Sequence, residues 1–195
     1  MDWLWPLVVF LFPLAYSPGP GNMVFAAIGA RDGLIGSVPA SLGYHLATFV
    51  VTVLTGFGFA VIAAALPGLF TALTWAGVVY TLWLASVFLR AGPATDTTDY
   101  RPLGITGGAV LLLLNPKAWV ILGLMFSQFL PAEQASPARV LLISAVFTLN
   151  NLIAFAVWAL AGQAIARLFA GARAHLVNRG FGLSLIGVAV WMALR

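Results

Sequence analysis

Long runs of apolar residues constrain the fold of this chain more than any other feature. A transmembrane helix needs about 20 consecutive apolar residues, and six runs of roughly that length or more occur along the sequence. Only 7% of the 195 residues are charged, whereas a soluble domain carries about 25%. The sequence therefore predicts an all-α integral membrane protein with six transmembrane helices. The runs cover residues 3–30, 38–66, 69–89, 103–130, 140–169 and 176–194.

Helix-breaking residues interrupt the first and fourth runs near their middles. The first break is "YSPGPGN" at 16–22, and the second is "NPK" at 115–117. A polar segment at mid-chain leaves three runs on each side, and an odd number of spans per half turns the second half upside down. Broken segments at matching positions of inverted halves are typical of transporter binding sites. We therefore predict two inverted three-helix repeats, 1–92 and 103–195, joined by a polar loop at 93–102, with helices 1 and 4 broken at mid-membrane. A chance match is the alternative, because transmembrane helices tolerate proline and glycine.

Arginine residues are unevenly distributed between the two sets of loops. Positive residues favour the cytoplasmic side, and the loops after runs one, three and five hold six arginines against two on the other side. This predicts that the odd-numbered loops are cytoplasmic. If the first run re-enters the membrane at its break, the N-terminus is cytoplasmic as well. The six are Arg31, Arg90, Arg101, Arg167, Arg173 and Arg179, and the two are Arg139 and Arg195.

The two breaks form the first candidate substrate site. Backbone groups left unpaired at membrane depth need protein or a water-filled cavity to satisfy them. Asn115 before Pro116, and Ser17 before Pro18, are typical of helix starts, and the free N–H groups of a helix N-terminus attract an anion. Lys117 adds a positive charge at the same place. The alternatives are proline kinks that only shape packing, and a lysine that snorkels to an interface. The candidate substrate-binding residues are Ser17, Pro18, Gly19, Pro20, Gly21, Asn22, Asn115, Pro116 and Lys117.

Polar residues form one stripe on the second run and another on the fifth. Ser41, His45, Thr48, Thr52 and Thr55 recur at helical spacing, which predicts a face turned toward the interior of a helix bundle. His45 is a candidate for proton coupling, because histidine titrates near neutrality, and an interhelical hydrogen bond is an equal alternative. The stripe on the fifth run supplies further candidates, or only packing contacts between helices. The cavity-lining candidates are Ser41, Thr48, Tyr80 and Thr148, and the additional substrate-binding candidates are Asn150 and Asn151.

The residues that the chain lacks disfavour several kinds of function. There is no cysteine, which excludes disulfides and thiolate metal sites. No nucleophile–base pair or cluster of metal ligands is evident, so we predict no enzyme activity, no cofactor and no metal. The basic excess needs no nucleic-acid partner, because cytoplasmic loops of membrane proteins are commonly basic. All five carboxylates lie at ends or in loops, which disfavours a substrate with a cationic side chain. They are Asp2, Asp32, Asp96, Asp99 and Glu133.

The motifs at the breaks resemble those of the LysE/RhtB family of bacterial amino-acid exporters. The similarity is strongest at "SPGPGN" and "LLLLNPKAWVILGLMFSQFLP", and it continues in "GVVYTLWLASVFLR" and "NRGFGLSLIGVAVWMAL". It implies six spans in the bacterial inner membrane and export of a small amino acid or related metabolite, driven by the proton gradient. The functional positions of the family carry over only to Pro18, Gly19, Pro20, Asn22, Asn115, Pro116 and Lys117.

The chain departs from the family at one place. Asn150 and Asn151 stand in the fifth run, where the family often has an aspartate, and this weakens both carboxylate-based proton coupling and a lysine or arginine substrate. We therefore predict a proton-coupled secondary exporter of a small neutral amino acid or related metabolite that works by alternating access. An uncoupled facilitator and a non-transporting membrane scaffold are the alternatives. The expected partners are the substrate, protons and the lipid bilayer, and Gly104 and Gly108 offer a contact for a homodimer.

Overall fold

The structure is helical throughout its regular parts. This computed structural model describes residues 2–65, 69–90, 103–130, 136–168 and 174–193, and every regular element in these ranges is an α-helix. The predicted loop at 93–102 lies outside the described residues, as do Asp96, Asp99, Arg101, Glu133, Arg173 and Arg195. The helices are α1 (Leu4–Tyr16), α2 (Pro20–Gly36), α3 (Val38–Ala65), α4 (Leu69–Arg90), α5 (Ile105–Leu113), α6 (Pro116–Phe129), α7 (Pro137–Leu168) and α8 (Ala174–Ala193).

Two pairs of helices meet at sharp bends where the sequence predicts the breaks. The bend between α1 and α2 is 62°, and the bend between α5 and α6 is 61°. Gly19 is the N-cap of α2 and Pro20 its first residue, while Asn115 is the N-cap of α6 and Pro116 its first residue. Proline suits this position, because its missing N–H would have no intrahelical acceptor there. The two breaks therefore share both their angle and the chemistry of their helix starts.

The start of the second half-helix differs from the sequence expectation. Ser17 is the C-cap of α1, and its hydroxyl donates to the Leu14 carbonyl at 3.1 Å. Pro18 lies between the two helices, so the expectation that Ser17 and Pro18 begin α2 is wrong. The proline equivalent to Pro116 is Pro20. Both prolines of the Pro-Gly-Pro motif satisfy the same local rule, so the sequence pattern alone does not distinguish them.

Helix length and hydropathy fit a membrane protein. Within the described residues, α3 and α7 are long and apolar enough to cross a membrane, and each bent pair passes the same test when it is taken as one span. That gives up to four spans. The helices α4 and α8, which correspond to the predicted third and sixth spans, pack against each other but are not among these four. The six-span inverted repeat stays a prediction.

The surface of α3 is inverted relative to that of a helix in a soluble protein. Its polar side chains are buried: His45, Thr48, Thr52 and Thr55 are at most 7% exposed. The predicted orientation of this stripe toward the bundle interior is thus confirmed. The opposite face is apolar and between 46% and 66% exposed, which suits contact with lipid. Its residues are Leu42, Leu46, Val50, Leu54 and Phe57.

Glycines allow close contacts between helices from the two halves of the chain. Gly29 of α2 lies against the backbone of Ala159 on α7, and Gly162 of α7 lies against the backbone of Ala26 on α2. Gly108 of α5 meets the backbone of α3 in the same way. Small residues let membrane helices approach closely, and a Cβ at these positions would overlap the neighbouring backbone. Gly108 therefore packs against α3 of its own chain and is no longer a candidate for the contact in a homodimer.

Candidate functional site

Lys117 joins the two breaks. Its Nζ donates to the Ser17 carbonyl oxygen at 2.5 Å and lies 3.4 Å from Oδ1 of Asn22. The aliphatic part of Lys117 passes Gly19, where an added Cβ would lie 2.7 Å from Cδ of the lysine. A side chain at this position would displace the lysine stem from its path. The breaks therefore lie against each other, as the sequence analysis expects.

The carbonyl groups at the end of α1 all receive a hydrogen bond. A helix C-terminus leaves its last carbonyls without intrahelical partners, and an unsatisfied backbone group in lipid costs several kcal/mol. The donors come from Ser17 itself and from side chains of α2, α6 and α7, so protein rather than water satisfies the first break. The bonds are Ser17 N to Pro13 O at 3.0 Å, Ser17 Oγ to Leu14 O at 3.1 Å, Asn22 Nδ2 to Ala15 O at 2.9 Å, Trp158 Nε1 to Tyr16 O at 3.2 Å, and Lys117 Nζ to Ser17 O.

The second break is satisfied in a related way. The indole Nε1 of Trp119 donates to the Leu113 carbonyl at 2.9 Å, much as Trp158 does at the first break. The backbone N–H of Asn115 donates to the Leu112 carbonyl, also at 2.9 Å. A tryptophan is a good donor here, since its ring is apolar and its N–H needs an acceptor when buried.

Asn115 occupies the N-cap position of α6, but its side chain does not cap the helix. Its Nδ2 donates to the Tyr44 hydroxyl at 2.9 Å. The residue is 4% exposed, and its Oδ1 is buried with no partner among the described residues. The expectation of a side-chain cap is therefore wrong, because the amide turns to α3 and bonds the buried hydroxyl of Tyr44. An unpaired buried acceptor costs about 1–3 kcal/mol, so this oxygen requires an explanation.

A small cavity lies where the two breaks meet. Its volume is about 10 Å³, close to the smallest space that holds one water molecule, whereas pockets for small ligands measure roughly 300–1,000 Å³. The cavity is too small in this conformation for an amino acid and has to widen before it admits one. Its polar lining consists of Asn22, Tyr44, Asn115, Lys117 and Asn151.

Several residues proposed from the sequence are brought together at this cavity. Asn22, Asn115, Lys117 and Asn151 line it, and the glycines of the first break border its lining residues. An added Cβ on Gly21 would lie 3.3 Å from Nδ2 of Asn115. Further from it, Pro20 and Pro116 are buried at their helix starts and Pro18 is exposed.

The remaining candidates do not line the cavity. Asn150 Nδ2 donates to the Leu11 carbonyl at 3.4 Å, and the Thr48 hydroxyl donates to the Tyr44 carbonyl at 2.8 Å. The ring of Tyr80 stacks on Trp83 with centroids 5.4 Å apart. The structure thus assigns these side chains to contacts within and between helices. Ser41, His45 and Thr148 also lie off the lining.

His45 lies next to the cavity residue Tyr44 and has a defined ring orientation. Its Nδ1 lies 2.7 Å from the Ser41 carbonyl and 3.1 Å from the Ser41 hydroxyl. A carbonyl oxygen only accepts, so Nδ1 carries the proton and donates. The other nitrogen, Nε2, is buried without a hydrogen-bond partner among the described residues, beside the backbone of Asn151. The imidazole therefore has one nitrogen available to accept a proton.

An aromatic cluster that the sequence analysis missed closes the cavity next to His45. Phe155 of α7 is the common member, with its ring centroid 4.7 Å from Phe25, 4.7 Å from Tyr44 and 5.4 Å from His45. Tyr44 and Phe155 both line the cavity. Tyr44 could have been found from the sequence, because a tyrosine hydroxyl at mid-span needs a partner. Phe155 gives no such signal, since phenylalanine is ordinary in an apolar helix.

A larger hollow lies at the C-terminal ends of α2 and α7. Its volume is about 570 Å³, and its lining includes Asp32, Gly33, Gln163 and Arg167. Gly33 has a φ of 73°, and this left-handed conformation favours glycine. The Leu34 N–H donates to Oε1 of Gln163 at 3.3 Å, which ties this bend to α7. Nowhere in the described ranges do three or more His, Cys, Asp or Glu residues form a group that could hold a metal ion.

Comparison with known proteins identifies the family. The chain is 30% identical to a cysteine/O-acetylserine efflux protein of Klebsiella pneumoniae over 187 residues, which cover 93% of this chain and 90% of that protein. It is 25% identical to a homoserine/homoserine lactone efflux protein of Salmonella typhimurium over 198 residues, covering 98% and 96% of the two chains. No solved structure matches the chain. The profile of the LysE type translocators matches residues 12–195, so the chain belongs to that family.

Proposed function

We propose that this chain is a secondary exporter that moves a small neutral amino acid or related metabolite out of the bacterial cytoplasm. The observation that carries the proposal is the meeting of two helix breaks around a cationic side chain. Among the described residues, the polar partners of Lys117 are neutral oxygens. A lysine in this setting is costly and usually functional. The carboxylate of an amino acid supplies the counter-charge that the protein itself does not place there.

Backbone donors at the breaks support the same substrate group. In the first turn of α2, the N–H groups of Gly21 and Asn22 come before the first intrahelical bond, which is from the Met23 N–H to the Gly19 carbonyl. In α6 the Ala118 N–H already donates to the Asn115 carbonyl at 3.0 Å, which leaves the Lys117 N–H. The positive ends of both helix dipoles lie at the breaks. The Phe155 ring packs against Gly21 and has to move before a ligand reaches this backbone. A carboxylate next to Lys117 would receive these N–H groups as further donors.

The relatives support the size and charge of the substrate. Their names specify cysteine, O-acetylserine, homoserine and homoserine lactone, which are small α-amino compounds without a cationic side chain. In this chain, neither Asp2 nor Asp32 lines the cavity, and these are the carboxylates among the described residues. A substrate with a second ammonium group would find no carboxylate in that lining. We therefore assign neutral amino acids and their close derivatives to the site.

The two halves of the chain fit an alternating-access mechanism. We assign residues 1–92 and 103–195 to two inverted three-helix repeats on either side of the 93–102 loop, with the odd-numbered loops in the cytoplasm. The nearly equal bends and the matching prolines at the two helix starts support this assignment. A cavity of about 10 Å³ suits a substrate-free conformation in which the two halves are packed together at the breaks.

Proton coupling is assigned to His45. Its Nδ1–H is held by Ser41, so protonation occurs at Nε2, which is buried near the cavity. A protonated Nε2 would meet the backbone of Asn151 on α7, and the new charge would lie next to the ring of Phe155. Protonation of His45 would therefore change how α3 packs against α7, and with it the shape of the cavity.

Transport in proteoliposomes tests the proposal. Purified chain is reconstituted into vesicles loaded with labelled L-homoserine, L-cysteine or O-acetyl-L-serine, and efflux is followed with and without an imposed pH gradient. An exporter of the proposed kind releases at least one of these compounds faster when the gradient is imposed, and an ionophore removes the acceleration. Efflux that ignores the gradient would identify an uncoupled facilitator. Efflux no faster than in protein-free vesicles would identify a non-transporting scaffold and overturn the proposal.

A further inference from the structure

The cavity at the breaks contains two chemically different recognition groups. Lys117 is cationic and suits a carboxylate. Asn115 presents the opposite chemistry, because Oδ1 is an acceptor that is buried without a partner among the described residues. The residue is only 4% exposed and lines the cavity. A buried acceptor of this kind is stabilised when a donor arrives.

We propose that Oδ1 of Asn115 accepts a hydrogen bond from the α-ammonium group of the substrate, while Lys117 binds the substrate carboxylate. The inference rests on the proposed function and adds to it a subsite for the amine. It makes Asn115 a specificity-determining residue that distinguishes an amino acid from a simple carboxylic acid of the same size.

The absence of a carboxylate from the cavity lining supports a neutral acceptor. An ammonium group needs acceptors when it leaves water, and the polar lining offers amide and hydroxyl oxygens. Asn115 has the one amide oxygen there that is buried and unpaired, while Oδ1 of Asn22 lies 3.4 Å from the lysine Nζ.

The Asn115 amide makes one side-chain contact among the described residues. Its Nδ2 bonds the Tyr44 hydroxyl at 2.9 Å, which leaves the carbonyl end of the amide for the ligand. The side chain makes no cap bond to α6, so its polar groups are not needed to hold that helix start. Asparagine is favoured at an N-cap because its side chain accepts a hydrogen bond from the first turn of the helix. The Asn115 side chain makes no such bond, so capping does not explain this residue.

The size of the cavity places both groups within reach of one small zwitterion. Lys117 and Asn115 border a space of about 10 Å³, so they remain near neighbours when it widens. The amine and carboxylate of an amino acid are attached to one carbon atom and need such a pair of sites. Recognition through these two groups applies to any small α-amino acid with a free carboxylate.

The test measures discrimination between two probes that differ in the amine. L-homoserine and 4-hydroxybutyrate share the carboxylate and the terminal hydroxyl, and only the first has the α-amine. Their affinities are measured on purified full-length protein for wild type, Asn115→Leu and Asn115→Asp. Asn150→Leu is the matched control, because Asn150 is an asparagine that bonds the Leu11 carbonyl away from the cavity. Thermal unfolding of each variant identifies folded protein.

We expect wild type and Asn150→Leu to prefer homoserine. In Asn115→Leu that preference falls by about ten- to a hundredfold, because a hydrogen bond to a charged group is lost, while the affinity for 4-hydroxybutyrate changes little. In Asn115→Asp, which keeps the shape of the side chain and its acceptor oxygen, the preference for homoserine is kept or increased. This variant also tests the inference if Asn115→Leu does not fold.

Two results would overturn the inference and separate it from the proposed function. If wild type binds homoserine but Asn115→Leu and Asn115→Asp weaken both probes equally, Asn115 contacts the carboxylate or acts only in packing. The exporter proposal then survives without an amine subsite at Asn115. If wild type binds neither these probes nor cysteine and O-acetylserine, the proposed function and the inference fail together.

Discussion

Replacement of Lys117 by methionine removes the charge at the breaks and keeps most of the side-chain volume. Methionine is unbranched and apolar, so it follows the same path past Gly19, where the lysine stem is close to the backbone. Two interactions are lost: the proposed contact with a substrate carboxylate, and the hydrogen bond from Nζ to the Ser17 carbonyl. Loss of the substrate contact lowers the affinity, and loss of the hydrogen bond to Ser17 lowers the free energy of unfolding. The two effects are measured separately in one variant.

The expected magnitudes follow from these two contacts. A hydrogen bond to a charged group contributes about 1.5–3 kcal/mol, and each 1.4 kcal/mol is about tenfold in affinity. Lys117→Met should therefore weaken substrate binding by roughly ten- to a hundredfold. The Ser17 carbonyl loses its donor, which should lower the free energy of unfolding by about 1–3 kcal/mol. Lys117→Arg should restore binding only in part, because its planar head needs more room than the ammonium group.

The assay combines equilibrium binding of labelled L-homoserine with thermal unfolding of purified protein. Trp119→Phe is the matched control, because it removes a donor to the Leu113 carbonyl at the other break without changing the charge. We expect both variants to lose stability and only Lys117→Met to lose affinity. Unchanged affinity in folded Lys117→Met would refute the charge argument and leave backbone N–H groups as the anion site. An equal loss of affinity in Trp119→Phe would show that the effect is structural.

Three further predictions concern coupling, packing and selectivity. His45→Gln should bind homoserine normally but lose the acceleration of efflux by a pH gradient, and full gradient-driven efflux would return His45 to a structural role. Gly162→Leu should lower the free energy of unfolding by about 1–3 kcal/mol or more, because its side chain would overlap the backbone of Ala26. Gly123→Leu is the control and should leave the free energy of unfolding unchanged, because nothing lies within 4 Å of an added Cβ there. Equal stability of the two variants would contradict the α2–α7 contact. Alanine and threonine should compete with homoserine better than lysine or arginine do, and lysine as the strongest competitor would exclude a neutral site.

The breaks and the buried face of α3 were predictable because each follows from a local rule. A run of Pro and Gly cannot continue a helix, and polar residues at helical spacing share one face. The contact between Lys117 and Ser17 joins positions 100 residues apart, so no local pattern describes it. The inverted-repeat pattern predicts only that the two regions meet. It does not predict that the ammonium group also satisfies a carbonyl at the end of α1.

At the first break, the preference for proline at a helix start does not determine which of the two prolines begins the helix. Proline is favourable at the first position of a helix, and the Pro-Gly-Pro motif offers two such positions. The structure uses Pro20, since Gly19 then adopts the extended N-cap conformation next to the Lys117 stem. A start at Pro18 would place Gly19 within the first turn instead. The choice therefore depends on the second half of the chain.

Asn115 shows why tertiary contacts override the capping preference. An asparagine at an N-cap normally accepts from the first-turn N–H groups, and a cap contributes about 1 kcal/mol. Here the amide turns to Tyr44 and pairs a buried hydroxyl, which would otherwise cost about 1–3 kcal/mol. The same rotation leaves Oδ1 buried and unpaired among the described residues at a comparable cost, so pairing the hydroxyl does not by itself offset the lost cap. In the first turn of α6, the Ala118 N–H donates to the Asn115 carbonyl at 3.0 Å, so the group left without a partner is the amide oxygen. A substrate ammonium group that donates to Oδ1 would remove this remaining cost.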